Sequence, residues 1–221
     1  MADLRIADAL YRVGALQLKL MEFPPYPRVG HRTISRTGDP VRYASLHLAL
    51  SRIETEGIPG SIAEVGVWKG ATSNFIHSHA PQRTLHLFDT FSGFPEADLR
   101  NAQSSDTTRF RDTSLERVKR RLGNTTNIVF HVGYFPETAA GLVSERFALV
   151  MIDVDLYKPT VAALEFFYPR LERGGYAFLH DYNSPESDHA VRRAVDPFLS
   201  DKVEQLIELP DRWGSVVFRK S

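Results

Sequence analysis

The chain has no cysteine. That removes disulfides, zinc–thiolate sites and thiol catalysis together. It also has no surplus of either charge, since 27 Lys and Arg stand against 27 Asp and Glu in 221 residues. A formal charge of zero gives no electrostatic hold on nucleic acid or an anionic membrane, so neither is expected as a partner. No apolar run approaches the length of a membrane span. The opening residues, Met1-Ala-Asp-Leu-Arg-Ile-Ala-Asp8, are charged where a signal peptide needs an apolar stretch. The cytoplasm is the expected location. Internal repeats and low-complexity segments are missing too. What remains is ordinary soluble composition, 43% hydrophobic and 24% charged, enough for one sizeable domain with a small extension.

Apolar positions Ile6, Leu10, Val13, Leu16 and Leu20 predict an amphipathic helix over residues 4–20. Phe23-Pro-Pro-Tyr-Pro27 ends it. Residues 1–40 are therefore taken as an N-terminal helical arm, whether a lid, a homodimer contact or simply a disordered leader, and residues 41–221 as the main domain. Within that domain the pattern alternates. Helices are expected at 43–56, up to His79, at 113–122, 136–144, 159–171 and 188–199. Strands are expected at 62–67, 84–88, 127–132, 147–152, 174–179, 205–209 and 215–219. Alternating strands and helices imply an α/β fold with a mainly parallel sheet covered on both faces. The long polar stretch Ser92 to Asp112 is a candidate lid, because loops of this length in compact domains tend to be functional.

Ligands of open parallel sheets bind off the carboxyl ends of the strands. Each expected strand end here carries a glycine or a polar group: Gly66, Asp89, Gly133-Tyr134, Asp153 with Asp155, and His180-Asp181-Tyr182. Glu64, Gly66 and Gly70 form E-x-G-x-x-x-G, a strand running into a tight turn and then a helix whose free N–H groups face a ligand. Asp89 follows Gly66 by 23 residues. A carboxylate at that distance can accept hydrogen bonds from ribose hydroxyls. Tyr134 and Phe135 offer rings that either lie against an adenine or join the core. If the strands ending in Asp153 and Asp181 are neighbours, the two carboxylates reach one ion. An oxygen pair of this kind suits Mg2+. His180 beside them is a candidate base. The other histidines have no partner visible in the sequence.

With these residues in view, the chain resembles class I S-adenosylmethionine (SAM)-dependent methyltransferases. More narrowly it resembles the macrocin O-methyltransferase (TylF-type) family, which methylates sugar hydroxyls and related groups in natural-product biosynthesis. The segments that carry the resemblance are Ala63-Glu-Val-Gly-Val-Trp-Lys-Gly70, Leu87-Phe-Asp-Thr-Phe-Ser-Gly-Phe-Pro95, Gly133-Tyr-Phe-Pro-Glu-Thr138, Met151-Ile-Asp-Val-Asp-Leu-Tyr-Lys-Pro-Thr160, and Tyr168-Pro-Arg-Leu-Glu-Arg-Gly-Gly175 leading into His180-Asp-Tyr182.

The resemblance implies a Rossmann-like class I methyltransferase fold. Its seven-stranded, mostly parallel sheet would have helices on both faces and a C-terminal antiparallel strand. It implies that residues 41–221 are a SAM-dependent methyltransferase domain acting on a hydroxyl of a small-molecule acceptor. Glu64, Val65 and Gly66, with Gly70 and Thr72 in the turn and helix that follow, would hold the methionine part of SAM. Asp89 and Thr90 would bind the ribose, Gly133 and Tyr134 would border the adenine, and Asp153 would complete the cofactor site. Asp153, His180 and Asp181 would be the catalytic residues and the ligands of Mg2+. One departure stands out. The antibiotic-sugar members carry two aspartates where this chain has His180-Asp181, and imidazole is a poor ligand for Mg2+. Either the metal stays with fewer protein oxygens, which is the reading adopted, or His180 is the base and the metal is dispensable.

Two rival classes are open to test. A NAD(P)-dependent oxidoreductase could use a Rossmann sheet, but the turn lacks G-x-G-x-x-G and no Tyr-x-x-x-Lys set is present. A non-catalytic SAM-binding or oligomerisation domain would gain little from acids at its strand ends.

Overall fold

The computed structural model describes residues 37–95, 110–123 and 126–221. The expected helix at 4–20, the lid and dimer roles of the arm, and most of the Ser92 to Asp112 stretch lie outside the described residues.

The first described helix, α1, spans Pro40–Thr55. It starts three residues before the expected Tyr43 because Asp39 caps it. The Asp39 carboxylate accepts from the Arg42 N–H at 3.2 Å, and Pro40 fills the first turn, where a missing N–H costs nothing. Strand β1, Ser61–Val65, is wholly buried. Helix α2 (Ala71–His79), strand β2 (Leu85–Asp89), helix α3 (Leu115–Leu122) and strand β3 (Ile128–Val132) follow, and then a short 3-10 turn at Glu137–Leu142. The second half comprises β4 (Phe147–Ile152), α4 (Tyr157–Phe167), β5 (Leu171–Leu179), α5 (Ala190–Leu199), β6 (Ile207–Leu209) and β7 (Ser215–Arg219).

The strands form one seven-stranded sheet in the order β3-β2-β1-β4-β5-β7-β6. The strands from β3 to β5 run parallel, while β7 is antiparallel to β5 and β6 to β7. The chain winds outward from β1 in one direction, then returns to β4 and winds in the other. A crevice opens where the winding reverses, between the ends of β1 and β4.

Alternation along the strands feeds two cores. Ile62, Leu85, Leu87 and Met151 face α1, α2 and α3 through Leu46, Ile53, Ile76 and Val118. Ala63, Val65, Val150 and Ile152 face α4 and α5 through Leu164, Phe167, Val191 and Val195. His86 and His131, unpartnered in the sequence, meet across β2 and β3 with Nδ1 and Nε2 2.9 Å apart.

Several boundaries differ from the sequence expectation by a few residues, and two more have a clear local cause. The helix expected at 159–171 ends at Phe167, and a 3-10 turn, Tyr168–Arg170, leads into β5 at Leu171 rather than Gly174. Pro169 has no N–H to continue the helical ladder, and Leu171 instead pairs with Phe147. The pairing shifts register between Phe147 and Leu149. Gly175 marks that shift, since a Cβ there would lie 2.7 Å from the Ala148 carbonyl oxygen. The helix expected from Asp188 begins at Ala190, because Asp188 and His189 both take left-handed conformations, each with φ 51°.

Candidate active site

The strand ends do converge. A cleft of about 1010 Å³, open to solvent, lies over β1, β2 and β4. Of the residues expected at the cofactor, Glu64, Val65, Gly66, Thr72, Asp89, Thr90, Gly133, Tyr134 and Asp153 all line it, and Gly70 does not.

The two glycines of the turn serve the protein's own packing. Gly66 has φ +88°, and a Cβ there would lie 1.9 Å from the carbonyl oxygen of Asp153. The glycine is needed so that the loop after β4 can close on the end of β1. Gly70 begins α2 with φ +71°, and a Cβ there would meet Val118 Cγ1 at 2.9 Å. Its bareness lets α3 approach α2.

Asp89 ties the turn down. One carboxylate oxygen accepts from the Val67 N–H at 2.7 Å and the Trp68 N–H at 2.8 Å, and the other from the Phe91 N–H at 2.6 Å. These bonds hold Trp68 in a left-handed conformation, φ 48°, uncommon for a bulky residue. A carboxylate has roughly four acceptor sites, so capacity remains for a ligand hydroxyl. Thr90 closes the adjoining turn by donating to the Gly93 carbonyl at 2.7 Å. Glu64 is only 1% exposed and is bonded by the Ser73 hydroxyl. Burial pushes its pKa up to about 8, against the opposing effect of that bond. It is therefore largely a neutral acid at pH 7. Of the two rings after Gly133, Tyr134 lies on the cleft wall. Phe135 is buried, stacked on Phe167 and edge-on to Phe88, so its ring belongs mainly to the core.

At the mouth, Trp68, Phe94 and Phe110 form an aromatic run, with ring centroids 5.6 and 5.1 Å apart. The indole N–H donates to Asp112 at 2.8 Å, and Lys69 pairs with the same carboxylate. These are the described ends of the expected lid.

The acidic end is more crowded than the sequence suggested. Strands β4 and β5 are neighbours, and Asp153, His180 and Asp181 come together. His180 Nδ1 is 3.2 Å from Asp153 Oδ1 and 3.3 Å from Asp181 Oδ2. Arg42 Nη1 reaches the other Asp153 oxygen at 3.3 Å. Burial works against the charge on His180, but the carboxylate of Asp153 beside it holds its pKa well above the ordinary histidine value. Burial likewise pushes Asp153 up, and the positive charges of His180 and Arg42 outweigh it and hold the carboxyl low. Asp153 lines the cleft, whereas His180 and Asp181 do not. They stand behind it, 7% and 4% exposed.

A second carboxylate pair backs the histidine. Asp39 and Asp211 lie within 4.8 Å of a ring nitrogen of His180. The Arg212 N–H donates to Asp39 at 3.2 Å, and the Ser215 hydroxyl donates to Asp211 at 2.6 Å. Burial, with Asp39 adding to it, pushes Asp211 up to about 6 against the Ser215 bonds. Sequence reasoning missed Arg42, Asp39 and Asp211. The one local signal that could have pointed to Asp39 is its place just before Pro40, a helix-cap pattern that the structure bears out. Tyr43, also missed, lines the cleft and bonds Thr72 through their hydroxyls at 3.1 Å.

The donor set at Asp153, His180 and Asp181 fits a divalent cation, with the Asp153 oxygen that Arg42 does not hold and an oxygen of Asp181 both close to Nδ1. It fits Mg2+ less well than an ion that accepts nitrogen.

Comparison with known proteins places this geometry. The macrocin-O-methyltransferase (TylF) family model matches residues 22–220. Mycinamicin III 3''-O-methyltransferase of Micromonospora griseorubida is 29% identical over 215 residues, covering 89% of this chain and 81% of that protein. The 8-demethyl-8-(2,3-dimethoxy-alpha-L-rhamnosyl)-tetracenomycin-C 4'-O-methyltransferase of Streptomyces olivaceus is 30% identical over 202 residues, covering 80% and 76%. Among solved structures, the O-methyltransferase NovP superposes with a TM-score of 0.68 at 22% identity, covering 82% of this chain and 80% of that one. The fold is the class I methyltransferase fold.

Proposed function

This chain belongs to the macrocin-O-methyltransferase family, and from that membership we propose that it moves a methyl group from SAM to a sugar hydroxyl carried on a larger natural product. SAM-dependent O-methylation of such hydroxyls follows from the family itself. The sugar is the finer step. It is supported by a relative whose name gives a rhamnosyl-bearing tetracenomycin as the compound methylated, at its 4' position.

The observation that carries the reading is one cleft lined by both sets of residues. The Glu64–Gly66 turn, Asp89 and Tyr134 line it, and Asp153 with Arg42 lines it beside the turn. Asp89 and the turn are assigned to the ribose and the methionine part, and Gly133 and Tyr134 to the adenine. Held in line, the acceptor oxygen forms its bond to the methyl carbon as the carbon–sulfur bond breaks, and such positioning supplies much of the rate. The hydroxyl proton leaves toward Asp153, the carboxylate that faces the cleft. His180 is a poorer choice of base, because it stands behind the cleft with Nδ1 turned to Asp153 and Asp181. A divalent cation on Asp153 and Asp181, when bound, would supply Lewis-acid charge beside the acceptor oxygens.

Asp153→Asn tests this reading. Methyl transfer should fall at least ~100-fold, the usual loss when a positioned proton acceptor is removed. Affinity for demethylated SAM (SAH), measured by calorimetry, should change by less than about threefold, since removing a group that acts in the transition state spares ground-state binding. Full turnover in Asp153→Asn would remove Asp153 from the chemistry.

A further inference from the structure

We infer that the cation suited to this site is one that accepts nitrogen, such as Mn2+, Co2+ or Fe2+, rather than Mg2+, and that His180 sets the choice; this rests on the methyltransferase reading above. Three observations carry it. The first is spacing. Asp153 Oδ1 and Asp181 Oδ2 lie 3.2 and 3.3 Å from His180 Nδ1, and the three ligand atoms are within 4.8 Å of one another. Ligands bound at roughly 2.1 Å around one ion stand about 3 Å apart. Arg42 takes the far oxygen of Asp153 and leaves Oδ1 facing the imidazole.

The second is charge. Four carboxylates gather here, Asp39, Asp153, Asp181 and Asp211. Arg42 lies within ion-pair distance of two of them, Asp39 and Asp153. Carboxylates shielded from water need compensation, and a divalent cation bound through a neutral His180 imidazole adds to the charge that Arg42 supplies.

The third is the far edge of the ring. His180 Nε2 is buried and has no hydrogen-bond partner among the described residues. An imidazole that binds metal through one nitrogen carries its proton on the other, and that N–H is normally given to a carboxylate. Asp39 and Asp211 are the carboxylates at hand. They act through His180, as positioning residues. Imidazole suits later first-row ions, whereas Mg2+ demands oxygen.

The full chain, saturated with SAH, is titrated with Mn2+ and followed by electron paramagnetic resonance. One Mn2+ should bind per chain, and pulsed measurements should show modulation from a directly bound nitrogen. That modulation should change from the 14N to the 15N pattern when histidine is labelled. In competition, Mg2+ should need at least a tenfold excess to displace Mn2+. His180→Asp should lose the nitrogen signal and narrow the Mn2+ over Mg2+ preference at least tenfold. Asp211→Asn should weaken Mn2+ at least tenfold, within the range seen for outer-shell partners. Absence of Mn2+ binding, Mn2+ bound without nitrogen modulation, or equal affinity for Mg2+ each overturns the inference. Calorimetry with SAH keeps the two readings apart. If SAH itself fails to bind, the methyltransferase assignment has failed, whereas SAH binding without a nitrogen-ligated ion sinks only the choice of cation.

Discussion

Glu64 is a carboxyl group kept out of water beside the cofactor turn, and its titration is a property of the fold. Its pKa rises from the ordinary 4.5 to about 8, chiefly through burial. The folded state therefore keeps a proton that the unfolded chain gives up above pH 4.5. Stability from this group is complete below that value and is lost as the pH climbs towards 8. Glu64→Gln has no proton to lose. In urea unfolding of the ligand-free protein, the variant should match the parent near pH 4.5. It should exceed the parent by about 3 kcal/mol at pH 7. Parallel stability curves would mean that Glu64 ionises freely in the folded state. The sequence made Glu64, Asp89, Asp153 and Asp181 legible because each is an acid in or at the end of an apolar strand, where an acid needs a reason. Their companions were not legible. Arg42 lies 111 residues from Asp153 and meets it only in the folded chain. Asp39 lies 173 residues from the Arg212 N–H it accepts. Nothing local in the sequence distinguishes either from a surface charge or a helix cap.

The junction of β1 and β4 shows how an element can be right for a reason the sequence did not give. A glycine at the end of β1 was expected so that a ligand could approach the backbone. What stands closest to its missing Cβ is the Asp153 carbonyl oxygen, 1.9 Å away. Gly66→Ala must therefore push the ends of β1 and β4 apart and hold alanine at φ +88°. A cost of about 3 kcal/mol or more is expected from the strained backbone and the overlap together. Gly141→Ala, where a Cβ would meet nothing within 4 Å, should stay within about 0.5 kcal/mol. Denaturant midpoints of the two variants check this, and equal losses would show that the junction gives way easily. Strands and most helices were read correctly along the described chain, because buried strands and amphipathic helices differ in period, but the helix expected at 136–144 is a 3-10 turn at Glu137–Leu142. The boundary at Leu171 was misplaced. Gly174-Gly175 looks like a strand entry, yet it is a register break inside β5.

The strand order β3-β2-β1-β4-β5-β7-β6 puts the cofactor turn and the acidic cluster on either side of one switch point. Alternation of strands and helices suggested such a sheet, and the ordered segments from Ala63 to Tyr182 narrowed it to the methyltransferase fold. Two features of the assembled molecule lay beyond that reasoning. Helix α1 packs across the sheet to bring Arg42 and Tyr43 to the cleft. The β6–β7 connection folds back so that Asp211 reaches His180. A ligand in this cleft touches both halves of the sheet at once, so its binding free energy should appear as stability of the whole chain. At a hundredfold excess over its dissociation constant, a ligand that binds only the folded state adds about 2.7 kcal/mol. For a chain of this length that is a rise of roughly 5–10 °C in Tm. SAH should produce such a rise in a thermal melt. NAD should produce none, since the turn after β1 offers Glu64-Val-Gly-Val-Trp-Lys-Gly70 in place of a second closely spaced glycine for a pyrophosphate. Stabilisation by NAD and not by SAH would overturn the methyltransferase assignment. The Asp153→Asn protein should melt higher with SAH by nearly the same margin as the parent, because the role proposed for its carboxylate is toward the acceptor hydroxyl and not the cofactor.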